Sequence, residues 1–195
     1  RNLLSVGSRT IYSDELWEIT ELTVRADSLR YAPSGIAGQL TQLAFKEAHG
    51  INLQEAKMML AWQEGALDIP QLYLHTEYSS LSGHLRTERH ETGNTTVDGK
   101  ADLHIGYADA RRWAQWIDDI PPEVLHLYPT ETLSASILLT GSTHQLRLLR
   151  CHLSLPTALD INVNGTVQNV TSPKQRTARG HIEATTYDLD FLTEL

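Results

Sequence analysis

Ile19-Thr-Glu-Leu-Thr-Val24 decides the reading of this chain. Its apolar spacing of i, i+3, i+5 is written again at Ile69-Pro-Gln-Leu-Tyr-Leu74 and at Leu148-Leu-Arg-Cys-His-Leu153. Each copy runs through a polar break into a second apolar strand that contains a glycine, at Gly38, Gly83 and Gly165. A strand–break–strand unit repeated in this way predicts an elongated stack of similar units. The first expectation is therefore a long surface, since a catalytic site needs a few unlike residues converging on one spot.

The i, i+3 step breaks strict alternation, and in a plain strand it would throw every later side chain onto the other face. One extra residue, a β-bulge, restores the apolar side to its original face. Leu40-Thr-Gln-Leu-Ala-Phe45 makes the same step. Bulges at corresponding places in several strands bend a sheet along one line and make a trough of it. Elsewhere the period is two, as in Leu133-Ser-Ala-Ser-Ile137 and Leu159-Asp-Ile-Asn-Val163, the signature of half-buried strands. About twelve strands are predicted from the turn signals, which fall at Gly7, Ser13-Asp14, Pro33-Ser-Gly35, His49-Gly50, Glu64-Gly65, Glu91-Thr-Gly-Asn94, Thr140-Gly-Ser142 and Ser172-Pro173. Links this short pair neighbours antiparallel, as a meander.

Two stretches test that pattern. Gln54–Glu64 is made of good helix formers, yet Ala56, Met58, Leu60 and Trp62 alternate between bracketing glycines, so a strand is expected. Residues 109–128 read differently. Trp113, Trp116, Ile117 and Ile120 share a helical side, Asp109 stands where an N-cap belongs, and Pro121-Pro122 ends the helix before a second short one at Glu123–Tyr128. The fold class expected is mainly β: one curved antiparallel sheet forming an open apolar trough, a single segment over 1–195 with a short helical insertion at 109–128. On it Ile19, Leu22, Val24, Leu40, Leu43, Phe45, Ile69, Leu72, Leu74, Ile137, Leu148, Leu153, Ile161 and Val163 line the floor, and the three opening phrases supply successive rungs.

Bulk properties bound the partners. The chain has 195 residues, 41% of them apolar and 21% charged, with a formal net charge of −8. That balance argues against nucleic acid, which needs clustered Lys and Arg, and against anchoring on anionic lipid heads. No apolar run reaches the roughly 18 residues of a membrane-spanning helix. The sequence begins at Arg1 and stops at Phe191-Leu-Thr-Glu-Leu195 amid apolar patterning, which reads as a piece of a longer protein. Cys151 is the only cysteine. It occupies an apolar slot of the repeat and reads as a small hydrophobe.

A search for chemistry finds little. There are nine histidines, but none makes the close pairing of a zinc motif. His84 and His104 alternate with apolar neighbours, as residues of a polar strand face do. No phosphate-cradling loop or nucleophile elbow occurs. The expectation is a protein without catalytic residues, metal or cofactor.

Several phrases in order resemble one family: Ile19-Thr-Glu-Leu-Thr-Val-Arg-Ala-Asp-Ser-Leu29, then Gly38-Gln-Leu-Thr-Gln-Leu-Ala-Phe-Lys-Glu-Ala-His-Gly50, then Leu72-Tyr-Leu-His-Thr-Glu-Tyr-Ser-Ser-Leu81, and Leu159-Asp-Ile-Asn-Val-Asn-Gly-Thr-Val167 with Tyr187-Asp-Leu-Asp-Phe191. Together they resemble the TamB/AsmA-like proteins, in the form found in Bacteroidetes. The resemblance implies a periplasm-spanning protein, anchored in the inner membrane, whose β-taco body moves phospholipid to the outer membrane or assists outer-membrane protein translocation and assembly. It implies phospholipid or other acyl chains and an outer-membrane assembly protein of the Omp85/TamA type as partners, and places this chain as an interior section. A trough needs no polar machinery, because each buried CH2 of an acyl chain is worth about 0.8 kcal/mol. Its open edges imply self-association. The rival reading is a β-sandwich binding carbohydrate or a protein, with Trp17, Trp62, Tyr73 and Tyr78 as its aromatics.

Overall fold

Strand-forming alternation is realised throughout the computed structural model, which describes residues 19–47, 50–91, 93–114, 131–156 and 158–187. The strands are β1 (Ile19–Ala32), β2 (Gly35–Glu47), β3 (Asn52–Gln63), β4 (Ala66–Thr76), β5 (Ser80–Arg89), β6 (Thr95–Ile105), β7 (Leu133–Ser142), β8 (Gln145–Leu155), β9 (Leu159–Gln168) and β10 (Thr177–Thr186). Among the described residues one helix, α1 (Tyr107–Ala114), stands between β6 and β7. Each strand pairs with its neighbour in sequence, so all ten lie in one sheet in chain order, which is not closed into a barrel. The strands expected before Ile19 fall outside the described residues. A sandwich needs two facing sheets; the described residues form one.

The meander follows from its turns. Gln63 pairs with Ala66 across Glu64-Gly65, whose φ values of 46° and 87° fit the type I′ turn that matches strand twist. The β7–β8 link falls at Thr143-His144, two residues beyond the expected glycine: Gly141 stays in the ladder opposite Leu146. The helix-prone stretch becomes β3, bonded on both sides by β2 and β4. Two ladders outweigh a propensity of a few tenths of a kcal/mol per residue.

The i, i+3 steps are bulges. Register shifts fall between Thr20 and Thr23 in β1, Leu40 and Leu43 in β2, Ile69 and Leu72 in β4, and Leu148 and Cys151 in β8. In β1 the extra residue is Glu21, at φ 53°. β3 makes the same step at Leu53-x-x-Ala56-x-Met58, with its own shift. β1 carries a second bulge between Asp27 and Arg30, with Ser28 at φ 55°, which returns Leu29 and Tyr31 to the apolar side.

Glycines complete the bend. Leu72, Gly83, Ala101, Ile137, Cys151, Val163 and Ile182 pair in succession from β4 to β10, and the next row is Ile69, Leu85, Gly99, Leu139, Leu148, Gly165 and Gly180. The bulges of β4 and β8 lie between these two rows, and four glycines lie on them. A Cβ on Gly83 would run into the carbonyl oxygen of Lys100, and one on Gly165 would come within 2.6 Å of that of Arg179. A side chain would not fit at either position, as where strands approach closely at a bend.

The helical insertion differs from expectation. α1 starts at Tyr107, so Asp109 lies within its first turn rather than ahead of it. Its carboxylate ties the helix to the β4–β5 turn instead of capping its own backbone. The remainder of the expected insertion, 115–130, with Trp116, Ile117 and Ile120, falls outside the described residues, as does the side chain of Trp113.

Candidate apolar groove

Cross-strand pairs share a face, so the register fixes what the apolar side carries. Val24, Leu43, Ala56, Leu74, Leu81, Leu103, Ala135, Leu153, Ile161 and Ala184 form an unbroken row across all ten strands. The adjoining row is Ala26, Leu40, Met58, Leu72, Gly83, Ala101, Ile137, Cys151, Val163 and Ile182. Neither row contains a charged or hydrogen-bonding side chain apart from the Cys151 thiol. At about 4.8 Å per strand, each row runs for roughly 43 Å of contour.

All fourteen floor residues named from the sequence lie on this face. Val24, Leu43, Leu74, Leu153 and Ile161 belong to the first row, and Leu40, Leu72, Ile137 and Val163 to the second. Ile69 and Leu148 belong to the third. Phe45 pairs with Leu53, and Ile19 with Glu47, towards the margin. Leu22 follows the Glu21 bulge and returns to the side of Val24. The opening phrases are not themselves rungs: each lies along a strand, and its three residues enter three neighbouring rows. Sequence reasoning missed Leu29, Met58, Leu60, Leu81, Leu103 and Leu139 on the same face. Alternation extended from Ile137 would have found Leu139; Met58, Leu60, Leu81 and Leu103 lie on strands with no named floor residue and are placed on this face only by the register between strands, and Leu29 depends on the second bulge of β1.

No second layer of described residues covers the face. Among the described residues only Ala56, Leu155 and Ala158 are buried apolar groups, while Leu22, Val24, Leu29 and Ile137 are exposed. Two hollows open on it. One, of about 400 Å3, lies among Phe45, Leu53, Leu74, Leu81 and Leu103, with Thr76 and Ser79 at its end. The other, of about 340 Å3, lies among Ile69, Leu72, Leu85, Ala101, Ile137 and Leu139. Both fall in the range of small-molecule sites. A hollow of similar size on the opposite face is bordered by Arg30, Gln39 and Asp68, so the two faces differ in polarity, not in having hollows.

The opposite face is polar. His84 bonds to Asp98 at 3.2 Å, His104 to Ser134 at 3.0 Å, and His152 to Asp160 at 2.7 Å. The hydrogen bond from His152 holds the Asp160 carboxyl below its usual range. Among the described residues no group of His, Cys, Asp and Glu could hold a metal ion, and no helix is long and apolar enough to cross a membrane.

One margin of the groove is fastened by polar groups. Asp109 is buried, accepting hydrogen bonds from Thr76 Oγ1 and from Ser79 Oγ at 2.7 Å. Ser79 Oγ also accepts from the backbone N–H of Gly106 at 3.2 Å. The Arg112 guanidinium lies 3.6 Å from Asp109 and over the Tyr78 ring. A hydrogen bond to the Glu77 carboxylate raises the Tyr78 phenol above its ordinary value. This cluster pins α1 to the end of the larger hollow. Chemically it is a fastening: the Asp109 carboxylate and the Thr76 and Ser79 hydroxyls are engaged with one another. No family model, curated protein or solved structure matches this chain.

Proposed function

We propose that this chain is a lipid-holding section of a TamB/AsmA-like trough, without catalytic activity. The observation that carries the reading is an apolar face that no second layer of described residues covers, crossed by two rows of ten residues each without a charge. A water-exposed surface of this extent is unfavourable unless something apolar occupies it. Acyl chains suit it: they need length, width and no hydrogen bonds, and their headgroups stay in water. The rows run across the strands, so a chain lying along them passes from one strand to the next without meeting a charge. In this reading the parent protein resides in the periplasm, is anchored in the inner membrane, and works with an Omp85/TamA-type partner in phospholipid transport or outer-membrane protein assembly.

Native mass spectrometry of the purified chain, followed by lipid extraction, tests the proposal. Co-purified phospholipid is the expected result. A lipid-free protein that also fails to bind a fluorescent fatty acid would overturn lipid holding by this section.

A further inference from the structure

The hollow on the polar face is framed by two bulges. β1 bulges between Asp27 and Arg30, with Ser28 at φ 55°. β4 leaves register with both its neighbours around Pro70: between Asp68 and Gln71 against β3, and between Ile69 and Leu72 against β5. Between them β2 and β3 pair regularly and present short side chains, with Ala37 opposite Ala61. The space left over these alanines is about 340 Å3, with Ser28, Met59 and Pro70 on its border. A residue held at positive φ beside a hollow is a reason to ask what the hollow receives.

The ends of the hollow carry opposite charges. Arg30, Ala37, Ala61 and Asp68 pair in succession from β1 to β4, so the cation and the anion stand three strand steps apart, roughly 14 Å at about 4.8 Å each. Neither side chain has a hydrogen bond or ion pair with a described residue. Arg86 faces Asp68 from β5, away from the hollow, and the two are not joined either. Gln39, opposite Met59 in the next row, borders the hollow with an amide that no described residue engages.

We propose that this hollow binds a short zwitterionic peptide in extended form, two or three residues long and with small side chains. Its C-terminal carboxylate meets the Arg30 guanidinium, whose fork suits a carboxylate. Its N-terminal ammonium meets Asp68. The Gln39 amide, both donor and acceptor, serves a peptide group between them. Side-chain reach at each end shortens the span, leaving length for two or three residues at about 3.3–3.6 Å each. The alanine floor accepts small apolar side chains, and Met59 can shift to fit them. Both charged groups are partly open to water, so binding is modest, with Kd on the order of 0.1–1 mM. The site lies on the face opposite the groove and does not depend on the lipid reading.

A chemical-shift titration of the 195-residue chain with tri-alanine, followed at the backbone amides of Ala37 and Ala61, tests it. Acetylating the N-terminus or amidating the C-terminus of the peptide should each weaken binding about tenfold. Asp68→Asn should weaken tri-alanine about tenfold and leave N-acetyl-tri-alanine unchanged. Arg30→Gln should weaken tri-alanine to the same degree and leave tri-alanine amide unchanged. The dispersion of the remaining amide signals shows that each variant is folded. No shift at Ala37 and Ala61 with millimolar peptide, equal binding of the peptide blocked at both ends, or a loss in Asp68→Asn that the acetylated peptide shares would overturn the proposal.

Discussion

At one margin of the trough Asp109 is 2% exposed beneath Thr76, Ser79 and Arg112; at the other, Tyr31 and Trp62 stand 84% and 46% exposed on either side of Ile36. Both margins belong to the same strands. The first gathers most of the buried residues of the sheet, Glu47, Thr76, Ser79, Leu155 and Ala158 among them, at the turns that α1 and the β8–β9 link approach. The second, at the β1–β2 and β3–β4 turns, has apolar side chains that no described residue covers. A single-layer sheet cannot bury its own face, so order has to come from elsewhere. At the first margin it comes from hydrogen bonds made in the absence of water, where a lost partner is most costly.

Asp109→Ala should therefore have the largest effect, about 3 kcal/mol of destabilisation, because it strands two hydroxyl donors and the Arg112 guanidinium. Asp109→Asn, which keeps an acceptor, should lose less. Urea unfolding followed by circular dichroism measures both, and equal losses would show that the carboxylate's charge, not its hydrogen bonds, holds the margin. Arg112→Ala comes next, at about 1 kcal/mol, since it removes a partly exposed ion pair and the contact with Tyr78. At the open margin, Trp62→Ser and Tyr31→Ser should each shift stability by less than about 0.5 kcal/mol. A large loss there would mean that the open margin carries structural weight and would end the contrast. The smallest effect belongs to Asp160. Its carboxyl is held low in the folded protein, so its contribution is present above the unfolded carboxylate value and lost as pH falls through the folded one. Asp160→Asn should flatten the acid limb of the stability profile slightly, by lowering stability a little near neutrality and leaving it unchanged below the folded value of the carboxyl.

Much of this was legible in the sequence because a bulge leaves a trace. Ile19-x-x-Leu22-x-Val24 cannot keep one face in a regular strand, and keeping it requires one extra residue; four further strands obey the same rule. Gly83 and Gly165 were visible as glycines in apolar strands, but their role was not. That Lys100 and Arg179 carbonyls crowd them depends on register between strands, which no single strand specifies. Asp109 was misplaced because local spacing makes it an N-cap, whereas the partners that claim it, Thr76 and Ser79, lie about 30 positions earlier in sequence. Leu29 was missed because Ser28 adopts a positive φ that serine seldom takes, and nothing adjacent announces it.

The central claim is that one face of this sheet holds acyl chains and the other does not. Titration with a fluorescent fatty acid, comparing Ile161→Asp with Thr166→Asp in folded protein, tests it most directly. Both residues lie on β9; Ile161 is in the first apolar row, and Thr166 faces Arg147 and Arg179 on the polar side. The account predicts that Ile161→Asp abolishes most of the binding and Thr166→Asp leaves it unchanged. Equal binding by the two variants, or a loss confined to Thr166→Asp, would contradict it.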